Sequence, residues 1–253
     1  MIIDRWNKII EILSTNKEIR VDELAKLVDV SIATIRRDIN QLTSRKILTC
    51  KNGIVYSNQL TSALGPEYVV SDIIYMREIL NVDKKRHLAQ YATTLVNDAD
   101  IIYIDAGTTV NKMIPFITAK DVLVVTNSIS AIPLLLNAGI KAYICRGYIA
   151  NGSDAIYDSI TDQLKDINIT KAFLGVGAIN KNGFFSSSKD YELKREVISN
   201  SDEVYIIADS SKYERTAFRK FASFNEATLI TDAKPPFESE LKYIVVDDDL
   251  LAN

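Results

Sequence analysis

Four short segments gather residue types that bind anions and polyols. They are Asp105-Ala106-Gly107-Thr108-Thr109, Thr126-Asn127-Ser128, Gly175-Val176-Gly177-Ala178 and Asp209-Ser210-Ser211-Lys212. Each follows a run of branched apolar residues, so each reads as a turn that leaves a strand for a helix, or nearly so. N–H groups at a helix start, two threonine hydroxyls and a lysine together suit a phosphate. Asp105 and Asn127 add acceptors suited to sugar hydroxyls. The charge of Asp105 assigns it the sugar end or a turn-capping role, because it would repel a phosphate. Taken singly, each turn is also explained as a helix cap. Four such turns at neighbouring strand ends weigh more, and a cap does not require Lys212.

A second group lies near the N-terminus. Ile35, Ile39 and Leu42 recur at i, i+4, i+7 behind Ser31, a candidate N-cap. The opposite face carries Ala33, Thr34, Arg36, Arg37 and Asn40. Guanidinium and amide groups bond base edges, and small residues let a backbone come close, which is what a helix needs to enter a major groove. A three-helix bundle with a solvated outer face shares this periodicity. Asp38, beside two arginines, reads as orienting an arginine or satisfying the bundle rather than as a catalytic acid.

These groups need elements to hold them. Trp6, Ile9, Ile10 and Leu13 form one helical stripe, and Val21, Leu24, Leu27 and Val28 a second, with Asp22 placed to cap it. Residues 47–49 and 54–56 read as two strands around an Asn-Gly turn, with Lys51 near the tip within reach of phosphate. Residues 57–70 have mixed polarity and a Gly-Pro pair, which marks a boundary. Residues 72–96 read as helical with a break at Asn81. Strands follow at 100–105, 122–126, 142–145, 172–175, 204–208, 228–230 and 243–246. Helices are expected around 109–118, 128–138, 154–166 and 190–200. Strands without apolar/polar alternation are buried on both faces, so the body is a largely parallel, doubly wound sheet. Ligands of such sheets bind beyond the strands' C-terminal ends.

Composition narrows the chemistry. The chain has 253 residues, 47% hydrophobic and 25% charged, enough for a real core in one large domain or two modest ones. A Ser-His-Asp triad would have to use His87, the single histidine, which sits in the helical stretch DKKRHLAQ and reads as a surface residue. One histidine with the scattered Cys50 and Cys145 leaves little for a zinc site, so no metal and no cofactor is expected. No apolar run approaches a membrane span and no signal peptide opens the chain, so the expected compartment is the cytoplasm. Residues 1–60 hold ten Lys/Arg against seven Asp/Glu, whereas the rest is acidic. A basic module on an acidic body suits a nucleic-acid reader joined to something else.

The stretch RVDELAKLVDVSIATIRRDINQLTSRKIL, residues 20–48, resembles the DNA-binding signature of the DeoR family of bacterial transcription regulators. DAGTT (105–109), VVTNS (124–128), FLGVGAI (173–179) and ADSSK (208–212) resemble landmarks of that family's sensor domain. So do Met76-Arg77, Lys84-Lys85 and Lys194. The resemblance implies an α/β protein: a winged helix-turn-helix (1–57) with residues 31–43 as recognition helix, a linker (58–70), and a larger Rossmann-like, mostly parallel sensor domain (71–253) related in fold to ribose-5-phosphate isomerase and CoA transferases. It implies Ser31, Ala33, Thr34, Arg36, Arg37, Asn40 and Lys51 toward operator DNA. It implies Asp105, Gly107, Thr108, Thr109, Thr126, Asn127, Gly175, Gly177 and Lys212 around a phosphorylated sugar. The wing lacks the family's usual Gly-Gly pair, and Arg146 stands where a glycine is expected, either adding a cation to the pocket or marking a rebuilt wall. The expected function is a regulator, most simply a repressor of a sugar-metabolism operon, working as a dimer or tetramer. The competing reading is a sugar-phosphate isomerase or transferase with a DNA-binding domain appended, drawing its base from Asp105, Asp209 or Glu192.

Overall fold

The computed structural model describes residues 2–16, 18–44, 48–57, 81–149, 154–158, 162–186, 190–237 and 240–247. The chain forms two compact units, Met1–Asn81 and Val82–Asn253. The expected linker at 58–70 and the helical reading of 72–80 lie outside the described residues.

The first unit contains α1 (Ile2–Thr15), β1 (Glu18–Arg20), α2 (Val21–Val28), α3 (Ile32–Ser44), β2 (Leu48–Lys51) and β3 (Ile54–Ser57). Trp6, Ile9, Ile10, Leu13, Leu24, Ile35, Ile39 and Leu42 meet in one core, as their spacing requires. Each fully buried aliphatic side chain there is worth about 1.5–3 kcal/mol. Leu27, expected inside, is exposed, and Ala25 takes the buried place. Asp22 does not cap α2. That helix begins at Val21 after Arg20, and Asp22 accepts from Arg20 Nε at 3.1 Å instead. The segment 18–20, between the two helical stripes, is a third strand in a sheet ordered β1-β3-β2, all antiparallel. Its three residues are too few for alternation to show. Asp29, in the left-handed region at φ 62°, ends α2. The N–H groups of Asp29 and Val30 close back onto Lys26 and Ala25, which is a Schellman arrangement.

The second unit is built on α4 (Val82–Thr93) and seven parallel strands: β4 (Ile101–Ile104), β5 (Leu123–Thr126), β6 (Lys141–Ile144), β9 (Ile169–Leu174), β12 (Ser201–Ile207), β14 (Thr228–Thr231) and β15 (Lys242–Val245). These are the seven strands expected from the sequence. Their order is β15-β14-β12-β9-β4-β5-β6. The chain runs outward from β4 to β6, then returns to the other side of β4, so the order reverses between β4 and β9.

One face is covered by α4, α5 (Ala131–Ala138) and a 3-10 helix at Val110–Phe116, through Leu88, Ala92, Met113, Ile114 and Leu135. The other is covered by α6 (Tyr191–Ser199), Leu164 and an antiparallel sheet of β10 (Ala178–Asn180), β11 (Gly183–Ser186) and β13 (Arg219–Ala222).

Three expectations are corrected. Residues 110–116 wind as a 3-10 helix, not an α-helix, because Pro115 lacks the N–H that an α-helix interior needs. The described residues of the segment at 154–166, namely 154–158 and 162–166, form no helix. Ile156–Tyr157 (β8) pairs antiparallel with Tyr148–Ile149 (β7), and Ala155 bridges Ser128. Ile156, Ile160 and Leu164 mimic a helical repeat, but backbone pairing with the end of β5 wins. Gly175-Val176-Gly177 leads into β10 rather than into a helix.

Candidate nucleic-acid interface and effector site

In the first unit, α3 is capped by Ser31, whose Oγ accepts the Thr34 N–H at 3.2 Å and bonds Thr34 Oγ1 at 2.9 Å. Ser31, Ala33, Arg36, Arg37 and Asn40 are exposed, and Thr34 is half-buried. Among the described residues neither arginine is held in an ion pair, and both are open to solvent. Lys51 is exposed at the end of β2, before a turn in which Asn52 (φ 52°) and Gly53 (φ 74°) are both left-handed. That is the type I′ chemistry of an Asn-Gly hairpin.

Asp38 points the other way. It is buried and takes both Arg5 Nε (2.5 Å) and Arg5 Nη2 (3.0 Å), with the Trp6 indole N–H at 3.1 Å. Burial alone would raise its pKa. The Arg5 and Trp6 donors outweigh that and hold the carboxyl below its usual range. Asp38 therefore fixes α1 against α3 and sets the tilt of the exposed face.

In the second unit the strand order reverses between β4 and β9, and beyond the C-terminal ends of strands at such a reversal is where open α/β sheets bind their ligands. Asp105 and Gly175 flank the reversal, and the Gly175 N–H donates to Asp105 Oδ2 at 2.8 Å. A Cβ on Gly175 would stand 3.3 Å from that oxygen, so the close approach suits glycine.

The nine sequence candidates divide by accessibility. Asp105, Thr126 and Asn127 are buried and knit strand ends together. Thr126 Oγ1 donates to the Ile104 carbonyl at 2.6 Å. Asn127 Oδ1 accepts from Tyr103 Oη (2.9 Å) and the Ala106 N–H (3.1 Å). Gly107, Thr108, Thr109, Gly175 and Gly177 are half-buried and line the edge. Lys212 is also half-buried, but it follows β12, two strands from β4 and so about 10 Å away across the sheet. Asp209 caps its own short turn through Ser211 N–H at 3.0 Å, and Glu192 pairs with Arg219 at 2.8 Å. Neither is poised as a base.

Three groups were not among the site candidates, although Lys85 and Lys194 carry part of the resemblance. Lys194 on α6 is almost fully buried and reaches Asp105 Oδ2, Asp190 Oδ2 (3.4 Å) and the Gly175 carbonyl (3.1 Å). Burial opposes its charge, but Asp105 and Asp190 outweigh burial and hold the ammonium above its usual range. The signal was the four-residue spacing of Asp190 and Lys194 on one helix. Lys85, buried on α4, donates from Nζ to Thr108 Oγ1 at 3.2 Å, placing a cation at the turn itself. Its signal was a lysine on the apolar side of the Leu88-Ala89 stripe. Third, Asn111 Nδ2 donates to Ser128 Oγ (2.8 Å), Ser130 Oγ (2.7 Å) and, at 3.4 Å, Asp154 Oδ2.

Two buried side-chain polar atoms lack a hydrogen-bond partner among the described residues: Asp105 Oδ1 and Asn111 Oδ1. Both are acceptors and both lie in the 105–111 segment. An unmatched buried acceptor is costly, so both atoms call for a donor from water or a ligand.

Arg146 adds no cation to this edge. Its Nε pairs with Asp158 at 2.9 Å, and its side chain is largely exposed. A cavity of about 320 Å³ lined by Lys165, Asp166, Asn168, Ser199 and Asp202 lies at the opposite, N-terminal ends of β9 and β12. Ligands of open α/β sheets do not bind there.

Residues 80–233 match the DeoR C-terminal sensor domain, and residues 5–60 match the DeoR-like helix-turn-helix domain. The chain belongs to the DeoR family. The uncharacterized HTH-type transcriptional regulator FruR of Bacillus subtilis is 30% identical, over 90% of this chain and 90% of its own. The L-fucose operon activator of Haemophilus influenzae is 30% identical over 85% and 86%. The lactose phosphotransferase system repressor of Staphylococcus aureus is 26% identical over 90% and 90%. Among solved structures, ribose-5-phosphate isomerase A of Methanocaldococcus jannaschii is 20% identical, over 53% of this chain and about half (55%) of its own, with a TM-score of 0.39. This DeoR-family chain is thus a DNA-binding transcriptional regulator. Among its described residues no helix is long and apolar enough to cross a membrane.

Proposed function

We propose that this regulator represses a sugar-metabolism operon and that a phosphorylated sugar at the C-terminal edge of the sheet controls its hold on operator DNA. The observation that carries the reading is the pairing of Lys85 on Thr108 with the unmatched acceptor Asp105 Oδ1. A buried ammonium receives the phosphate, and the acceptors at 105 and 111 receive sugar hydroxyls. Lys85 thus takes the anchoring role that the sequence assigns to Lys212, which closes the site from the side. Exposed Arg36, Arg37 and Asn40 read the operator from α3, Ser31, Ala33 and Thr34 set the approach at its start, and Lys51 on the wing meets phosphate. The relatives named for sugar operons support the class of effector.

The test is a thermal-shift titration against sugar phosphates and their free sugars. Saturation at 100 times Kd adds about 2.7 kcal/mol to stability, a shift of several degrees. Lys85→Ala abolishes that shift while leaving operator affinity unchanged without ligand. An undiminished shift in Lys85→Ala would move the phosphate elsewhere.

The enzyme reading has one favourable observation: two carboxylates converge on a lysine at Asp105, Asp190 and Lys194. Those charges neutralise one another, so the carboxylates are held as ion-pair partners of Lys194 and no free base is presented to a substrate C–H. Binding without turnover of the phosphosugar, followed by proton NMR, is the expected result.

A further inference from the structure

Five of the nine large exposed apolar side chains among the described residues fall between positions 136 and 149: Leu136 (76%), Tyr143, Ile144, Tyr148 and Ile149 (64%). They surround β6, the edge strand, all four of whose residues are exposed. Strands of a parallel sheet are ordinarily covered on both faces, and an apolar open edge invites pairing. The other edge, β15, exposes one large apolar side chain, Tyr243.

We propose that this edge docks a second copy of the chain, with β6 pairing antiparallel to β6 of the partner about a two-fold axis. An edge strand is its own complement under such an axis, because each copy offers the same N–H and C=O row. The backbone groups of Ala142 and Ile144 face away from β5, since Cys145 N–H on the same strand bonds the Thr126 carbonyl. A pairing centred on Tyr143 sets each Ala142 against the partner's Ile144, a small residue against a large one, and keeps the two Lys141 ammoniums at opposite ends of the ladder. At side-chain areas of roughly 150–250 Å², the five residues expose on the order of 500 Å². That is more than half of the ~800 Å² each partner contributes to a standard interface. A helix-turn-helix reads a half-site, so the operator itself calls for two copies.

The face is continuous with the sensor edge. The β7–β8 hairpin beside β6 is tied to the end of β5 through Ile156 N–H to the Asn127 carbonyl (2.8 Å) and the Ser128–Ala155 bridge.

The experiment is sedimentation analysis of the full chain over a concentration series, with Tyr143→Asp, Ile149→Asp and the control Phe218→Asp. Phe218 is as exposed as the patch but lies outside it. The wild type sediments at twice the monomer mass or more. Both edge variants fall to half that mass or less with unchanged circular dichroism, and Phe218→Asp does not. A wild type that stays monomeric overturns the proposal, and so do edge variants that keep the wild-type mass. If a variant misfolds, hydrogen exchange of the wild type decides. The amides of Ala142 and Ile144, which face away from β5, lose protection on dilution if β6 pairs between copies, and protection independent of concentration overturns the pairing.

Discussion

Two carboxylates in this chain, Asp38 and Asp105, are buried for opposite reasons and respond to acid in opposite ways. Asp38 lies below its ordinary pKa because Arg5 and Trp6 outweigh its burial. Its contribution is therefore complete above the unfolded value near 4 and is lost as pH falls through the folded value. Asp38→Asn should cost about 2–3 kcal/mol at neutral pH, the range of hydrogen bonds to charged groups, and should flatten the acid limb of stability. Urea unfolding across pH checks both. Asp105 is pushed up, first by burial and then by Asp190, with Lys194 opposing. Removing that opposition should hurt. Lys194→Met leaves two carboxylates facing each other without a cation, a loss of about 3–5 kcal/mol at pH 7. Because the folded pKa of Asp105 is already raised above the unfolded one, that loss should shrink as pH falls toward the unfolded value near 4. A Lys194→Met protein as stable as wild type at pH 7 would deny the triad any structural weight.

The element that reads DNA and the element that closes the sensor edge were legible to different degrees. The stripes of α1 and α3 and all seven parallel strands follow from periodicity and apolar runs, which report burial directly. The recognition helix makes a quantitative prediction. Arg36→Ala and Arg37→Ala should each weaken operator binding by about 1–3 kcal/mol where the side chain meets a base. An arginine that meets phosphate instead should lower the salt slope by about one. Fluorescence anisotropy at several salt concentrations separates the two roles, and unchanged affinity in both variants removes α3 from the interface. What escaped the sequence was structure set by long-range pairing. β1 is three residues long, β8 carries a pattern that mimics a helix, and β10, β11 and β13 cover a face assigned to helices. The same holds at the site. The turn at 105–109 was visible as composition, but Lys85, Lys194 and Asp154 join it and the neighbouring Asn111 from distant segments, and spacing along one chain cannot show that. Gly147 is a case between the two. Its φ of 142° and the 2.0 Å approach of a Cβ to the Tyr157 carbonyl oxygen make it the hinge on which the hairpin seats. Gly147→Ala should unseat β7–β8, read as faster hydrogen exchange at Ile149 and Ile156 with the central strands unchanged.

At the scale of the whole molecule, the sensor can govern the DNA-binding unit only if ligand binds the DNA-free and DNA-bound chains unequally. Tight binding at the 105–111 edge is by itself without consequence for the operator. The coupling is reciprocal: whatever factor the ligand applies to operator affinity, operator DNA must apply to ligand affinity. Coupling free energies of about 1–3 kcal/mol correspond to factors of about 5–150, well within reach of titration. The phosphosugar that shifts the melting point should therefore be titrated twice, against the free protein and against protein saturated with operator duplex. For an inducing ligand, the ligand Kd should rise in the presence of operator by the same factor by which ligand raises the operator Kd. For a co-repressor both constants should fall together. Scrambled duplex at equal salt should leave ligand affinity unchanged, which separates sequence-specific coupling from the polyelectrolyte effect of DNA. A ligand that binds with and without operator at one affinity would show that the edge site is occupied but silent, and control of α3 would then have to come through another surface of the molecule.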